Sequence, residues 1–197
     1  QVLEIIRKMP RWTPAINYYG KGEYRESVWT IRIVFKRNGS LIAHTTEKLK
    51  ENMKKTLFSE LHKAHTGNSS DKWTHYLDTY DRLLAGFQNK PINLLEVGVF
   101  NGGSLEIWNQ YFKKAKHIVG CDIDSKCQDI QFVGNNIDLV IGDIKQIDTL
   151  ARINAISERF DVIIDDGSHR SSDIIAAFVR LFSMLNDGGV YIIEDLH

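Results

Sequence analysis

Two short apolar runs, Val162–Ile164 and Val190–Ile193, each end in a pair of carboxylates, Asp165-Asp166 and Glu194-Asp195. In an open parallel sheet, ligands bind just beyond the carboxyl ends of the strands. Two adjacent strands finishing this way would aim up to four carboxylates at one point, with His169 three residues past Asp166. Hard oxygen donors gathered like this suit Mg2+, Mn2+ or Ca2+. Asp-Gly is also ordinary turn chemistry, but here both strand ends carry the same device. Asp165 reads as support for its neighbour, or as a helix N-cap, rather than as a ligand. His197 offers an alternative: with Asp166 and His169 it would complete a two-histidine, one-carboxylate iron site of the non-haem oxygenase kind.

Upstream, Ile92–Val97 and the turn Gly98-Val99-Phe100-Asn101-Gly102-Gly103 read as strand, glycine-rich turn and helix start, with Leu105, Trp108 and Phe112 at helical spacing and Ser104 able to cap. A dinucleotide fingerprint requires Gly-x-Gly-x-x-Gly, whose middle glycine lets the backbone approach a pyrophosphate. Here that middle position is Phe100. The turn is open enough for a close ligand and poorly shaped for a pyrophosphate, which argues against NAD or FAD.

Two more apolar runs end in acids, at Asp122 (with Asp124 close behind) and at Asp143. The first lies about twenty residues past the glycine turn, where Rossmann-like sheets place the acid that accepts hydrogen bonds from ribose hydroxyls. Asp143 is placed to meet an adenine amino group. A pocket lined by Glu96, Asp122 and Asp143 attracts a cation, and S-adenosylmethionine, a sulfonium, is such a cofactor. The candidate cofactor contacts are Glu96, Gly98, Phe100, Asn101, Gly102, Ser104, Asp122 and Asp143, with Glu96 assigned to the methionine end.

Residues of roughly 60–197 resemble class I S-adenosylmethionine-dependent methyltransferases, and more narrowly the metal-dependent sugar O-methyltransferases of the macrocin and mycinamicin type, with cephalosporin-hydroxylase-like proteins as relatives. The matching pieces are Ser70-Asp71-Lys72-Trp73-Thr74-His75-Tyr76, Leu95-Glu96-Val97-Gly98, Gly120-Cys121-Asp122-Ile123-Asp124, Asp165-Asp166-Gly167-Ser168-His169 and Ile193-Glu194-Asp195-Leu196-His197. The resemblance implies Mg2+, or another divalent cation, on Asp166, Glu194 and Asp195, with His169 as general base. It implies transfer of a methyl group to a hydroxyl of a sugar or polyol on a natural product. By the same resemblance His75 and Tyr76 line the cofactor pocket, although packing within a helix explains them equally well.

The fold expected is α/β: a Rossmann-like parallel sheet with helices on both faces over residues 61–197, preceded by an appendage over residues 1–60. Residues 1–60 hold 12 Lys/Arg against 6 Asp/Glu, while the whole chain has 25 of each. That basic surplus reads as a solvated appendage, and no nucleic-acid signature accompanies it. Ser27–Lys36 and Ser40–Thr45 read as a hairpin turning at Arg37-Asn38-Gly39, followed by helices near Glu47–His65 and Lys72–Gln88. The helix from Ser172 is expected to stop at Asn186–Gly189, with glycine as its left-handed cap. The family's sheet continues for two further strands, so the chain reads as truncated after its fifth parallel strand, whose apolar edge the hairpin or another chain would cover. Cys121 and Cys127 form no disulfide framework. No apolar run approaches a membrane span and no signal peptide is visible. A cytoplasmic enzyme is expected, working on a small-molecule hydroxyl substrate with neither nucleic acid nor membrane as partner. A homo-oligomer or a larger multidomain parent suits it, and a non-catalytic scaffold domain of a larger synthase is the competing reading.

Overall fold

The computed structural model describes residues 35–36, 56–133 and 136–195. In chain order these form β1 (Phe35–Lys36), α1 (Phe58–Ala64), α2 (Thr74–Leu84), β2 (Asn93–Val97), α3 (Gly103–Tyr111), β3 (His117–Asp122), β4 (Ile137–Ile141), α4 (Ile147–Ile156), β5 (Phe160–Asp165), α5 (Ser171–Leu181) and β6 (Leu185–Ile193), with short 3-10 turns at Ser125–Asp129 and Phe182–Met184. Among the described residues the strands form one sheet in the order β1-β6-β5-β2-β3-β4. β2 to β6 are mutually parallel, and β1 runs antiparallel to β6.

Strands covered on both faces read as continuous apolar runs, and successive side chains go to opposite faces. On β2, Leu94 joins one core layer and Leu95 the other. The first layer holds Trp108 and Tyr111 of α3, and Phe112 just after it, with Phe58 of α1 and Tyr76, Tyr80 and Leu84 of α2. Phe58 stacks on Trp108 with ring centroids 4.1 Å apart. The boundary expected at residue 60 therefore falls inside a helix packed into the main core. The second layer packs Ile153 of α4 and Phe178 and Leu181 of α5 against Val119, Ile163 and Tyr191.

Three expectations meet the structure differently. Helices expected over Glu47–His65 and Lys72–Gln88 are Phe58–Ala64 and Thr74–Leu84, and residues 47–55 lie outside the described residues. Of the expected hairpin only Phe35–Lys36 is described; there it pairs with Tyr191 and Val190, on the edge of the last parallel strand. α5 ends at Leu181 rather than at Asn186–Gly189, because Leu185 is already paired with Phe160 in the sheet. The Gly188-Gly189 pair then forms a bulge in β6: Gly188 has φ +79°, and a Cβ on Gly189 would lie 2.9 Å from the carbonyl oxygens of Asn186 and Asp161. A bulge of this kind bends a strand without ending it.

The chain crosses from β4 back to β5, so β2 lies between β3 and β5. The crevice above such a reversal is where open α/β sheets bind ligands. Strand ends there are level: Val97 opposes Cys121 and Asp165, and Asp165 opposes Ile193. The ladder continues one step further through Gly98 N to Cys121 O (2.9 Å), Asp166 N to Val97 O (2.9 Å) and Glu194 N to Asp165 O (2.9 Å). These bonds fix the glycine turn and both carboxylate pairs at one height.

Candidate functional site

A cleft of about 650 Å³ opens at this reversal, lined on the turn side by Gly98, Phe100, Asn101 and Ser104, and on the acid side by Asp166, His169 and Asp195. Asp122, Asp124 and Asp143 line it as well. At the floor of the cleft, which it helps to line, Lys72 is buried among three carboxylates, with Nζ 2.5 Å from Asp166 Oδ2, 2.8 Å from Glu194 Oε1 and 3.4 Å from Glu96 Oε1. Tyr80 Oη also donates to Glu194 Oε1, and Ser104 Oγ donates to Glu96 Oε2 at 2.7 Å.

The oxygens divide cleanly. Asp166 gives Oδ2 to Lys72, and its Oδ1 lies 3.9 Å from His169 Nε2. Asp195 gives Oδ1 to Tyr76 Oη at 2.6 Å, and its Oδ2 lies 3.8 Å from His169 Nε2. Donor atoms of Asp166, His169 and Asp195 thus all fall within 4.8 Å of one another. Two carboxylates and an imidazole make a donor set that fits a divalent cation.

Burial dominates the electrostatics. It pushes the carboxyls of Glu96, Asp166 and Glu194 above the usual range, although the Lys72 ammonium beside them opposes the shift. Burial would lower Lys72, but Glu194, then Tyr80, Glu96 and Asp166, outweigh it and hold its pKa well above the usual value. Asp165 is pushed up to about 7 by burial, against a hydrogen bond from the Gly167 backbone. A cation arriving among such acids would draw them back to the charged form.

Backbone geometry singles out the same cleft. Among the described residues the non-glycine positive φ values belong to Phe100 (54°), His169 (56°) and Asp195 (51°), all just past strand ends. Left-handed non-glycine residues are uncommon, and such strain collects at ligand sites. The turn itself is tied down by Asp122, whose Oδ2 accepts from Val99 N (2.7 Å) and Phe100 N (3.0 Å). Gly98 has φ +91°, and a Cβ there would lie 2.0 Å from the Asp166 carbonyl oxygen. Its missing side chain lets the acid loop of β5 close over the turn.

The cleft therefore gathers Gly98, Phe100, Asn101, Ser104, Asp122, Asp143, Asp166, His169 and Asp195 of the residues expected from sequence. It does not bring three of them to its lining. Glu96 is fully buried with Lys72 and Ser104. Gly102 packs toward Phe132 and Ile130, which a Cβ would meet at 2.7 and 3.1 Å. Glu194 is 3% exposed, its Oε1 shared by Lys72 and Tyr80. Tyr76 takes the packing role: it is buried in the core, outside the cleft lining, and reaches the site through its bond to Asp195. The His75 side chain and His197 lie outside the described residues, and so does the two-histidine iron set that would need His197. Lys72 and Tyr80 received no role from the sequence. Tyr80 carried a signal, its four-residue spacing from Tyr76 on one face of a core-packed helix, whereas Lys72, ahead of that helix, carried none.

A family model described as a methyltransferase domain matches residues 95–196. The chain belongs to that family. Among curated relatives of this methyltransferase domain, 8-demethyl-8-alpha-L-rhamnosyl tetracenomycin-C 2'-O-methyltransferase of Streptomyces olivaceus is 33% identical over 138 residues, 66% of this chain and 35% of the relative. Demethylmacrocin O-methyltransferase of Streptomyces fradiae is 34% identical over 124 residues, 59% of this chain and 30% of the relative. The solved structure of the MycE methyltransferase from the mycinamycin biosynthetic pathway, in complex with Mg, SAH and mycinamycin VI, matches with a TM-score of 0.62 at 31% identity, covering 72% of this chain and 38% of that one. The chain spans about a third of the length of these relatives. No helix among the described residues is long and apolar enough to cross a membrane.

Proposed function

We propose that the chain carries the cofactor and cation sites of an S-adenosylmethionine-dependent, divalent-metal-dependent O-methyltransferase acting on a sugar hydroxyl of a glycosylated small molecule. The observation that carries this reading is the convergence of Asp166, His169 and Asp195 at the mouth of an acid-lined cleft beside the glycine turn. The relatives' names support it: they are O-methyltransferases, one of them named for a rhamnosyl-bearing compound, and the solved relative is in complex with Mg, SAH and mycinamycin VI.

When bound, S-adenosylmethionine supplies a sulfonium-activated methyl group and the cation supplies the positive charge that makes an acceptor hydroxyl more acidic. Asp122 and Asp143 take the ribose and adenine side of the cleft, and the turn from Gly98 to Ser104 takes the methionine side, with Glu96 beneath it. Asp166 and Asp195 hold the cation, and Glu194 completes the acid set. His169 removes the hydroxyl proton at Nε2, imidazole being the side chain that exchanges protons near neutral pH. Holding acceptor and methyl group in line is the largest contribution left to the protein. Residues 1–60 are read as an appendage to this domain, and the reaction as cytoplasmic.

A second reading is favoured by the observed donor set. His169 converges with Asp166 and Asp195, whereas Glu194 is engaged by Lys72 and Tyr80. In that reading His169 is a cation ligand and another group takes the proton. The proposal as a whole is tested by thermal unfolding with Mg2+, since a ligand that binds the folded state alone raises the melting temperature. Asp166→Asn should remove the rise, and a rise that survives would place the cation elsewhere.

A further inference from the structure

Each acid of the site is anchored from one wall. Lys72, just ahead of α2, reaches Asp166 Oδ2 and Glu194 Oε1; Tyr76 reaches Asp195 Oδ1; Tyr80 reaches Glu194 Oε1. Four-residue spacing on α2 puts Tyr76 and Tyr80 in a row, and Lys72 precedes them just outside the helix. The anchored oxygens face α2, while Asp166 Oδ1 and Asp195 Oδ2 are left toward His169. Lys72 differs from the tyrosines in carrying charge. Its side chain is 2% exposed and meets three carboxylates whose side chains are 0%, 3% and 21% exposed, which leaves the cluster with more acid than base. Buried like charges repel strongly unless a cation stands among them. Lys72 also reaches Glu96 under the glycine turn, so a single ammonium touches the acid of β2 beneath the turn and the acids that follow β5 and β6.

We propose that Lys72 is a positioning residue: a built-in cation that keeps Asp166 and Glu194 assembled and aimed when no divalent ion is present, and links them to Glu96 of β2 beneath the cofactor turn. The proposal rests on the reading of Asp166 and Asp195 as a divalent-cation site. It requires Lys72 and the metal to share one task, holding the acids together, so that losing one makes the fold lean on the other. A lysine that merely fills the core would have no such relation to metal.

Thermal unfolding of the whole chain, with a chelator and with excess Mg2+, tests this in Lys72→Met, which keeps the side chain's length and removes its charge. Without metal the variant should melt roughly 10 °C lower, the usual scale for stranding buried charge in a domain of this size. Mg2+ should return at least half of that loss, a rise several-fold larger than the wild type's. Lys72→Arg should show the wild-type rise, and Leu77→Ala, a neutral core change on α2, should lose the same amount in both conditions. Where Lys72→Met does not fold without metal, the double variant K72M/E96Q, which removes one charge of each sign, gives the same comparison. Equal losses for Lys72→Met with and without Mg2+, as in Leu77→Ala, overturn the proposal alone. A wild-type chain that takes up no Mg2+ by calorimetry overturns the cation reading and this proposal with it.

Discussion

Tyr76 and Asp195 are bonded twice over: the phenol donates to Asp195 Oδ1 at 2.6 Å, and the Asp195 backbone N–H donates to the phenol oxygen at 3.2 Å. Asp195 holds this grip with its backbone in the left-handed region, at φ 51°. One buried hydroxyl thus fixes both the carboxylate and the peptide that carries it.

Tyr76→Phe should therefore act on stability and metal binding together. Losing a hydrogen bond to a charged group costs about 1.5–3 kcal/mol, seen as a lower denaturation midpoint. Partners that orient ligating groups are worth about 10–100-fold in metal affinity, so a Mg2+ titration should weaken by at least the lower figure. Unchanged Mg2+ affinity would mean that Asp195 is not a ligand.

Gly98→Ala separates two accounts of the glycine turn. If Gly98 served only ligand approach, the substitution would cost cofactor binding and leave the metal response intact. The structure puts the Asp166 carbonyl 2.0 Å from the new Cβ, on a backbone of φ +91°. The variant should lose Mg2+ stabilisation along with S-adenosylhomocysteine binding, and melt well below the wild type. Both losses are read by thermal unfolding with each ligand in turn.

The parallel strands were legible because both of their faces are covered, which makes them unbroken apolar runs, and because each ends in an acid. Lys72 was not legible. A lysine ahead of a helix reads as surface charge, and its burial depends on Glu96, Asp166 and Glu194, which lie 24, 94 and 122 residues away along the chain. The same holds for Gly98, whose neighbour across space is the Asp166 carbonyl, and for Gly188-Gly189, where strand pairing of Leu185 overrode the local appearance of a helix cap. Local pattern located the acids. Which oxygens remain free for a ligand is decided by contacts between distant elements.

Asp165 sets a pH dependence. Burial raises its carboxyl to about 7 in the folded chain, against about 4 in an unfolded one. Between those values the folded state keeps a proton that the unfolded state releases, so stability falls as pH rises from about 4 to about 7 and then levels off. Asp165→Asn should flatten that fall. Denaturant unfolding in metal-free buffer, compared at about pH 5 and about pH 8, should show the wild type losing stability on the order of a few kcal/mol and the variant losing much less. Parallel profiles would mean that Asp165 is ionised in the fold.

His169→Ala and Asp166→Ala divide base from ligand. In an enzyme turning over its acceptor, His169→Ala should keep metal-dependent stabilisation and lose about 10²–10⁴-fold in rate, the usual contribution of a positioned base. Higher pH should recover part of that loss, because a metal-acidified hydroxyl can then release its proton to solvent. Asp166→Ala should lose both properties. If His169→Ala abolishes the metal response as completely, His169 is a ligand, as its 3.8 and 3.9 Å distances to Asp195 and Asp166 allow.

Calorimetric titration of the folded chain with S-adenosylhomocysteine, with and without Mg2+ and with NAD as control, bears most directly on the central claim that the cleft is a methyl-donor site coupled to a cation. The account predicts one-to-one binding of S-adenosylhomocysteine, and Mg2+ uptake that disappears in Asp166→Asn. Heat from NAD with none from S-adenosylhomocysteine, or a folded chain that binds neither, would contradict it.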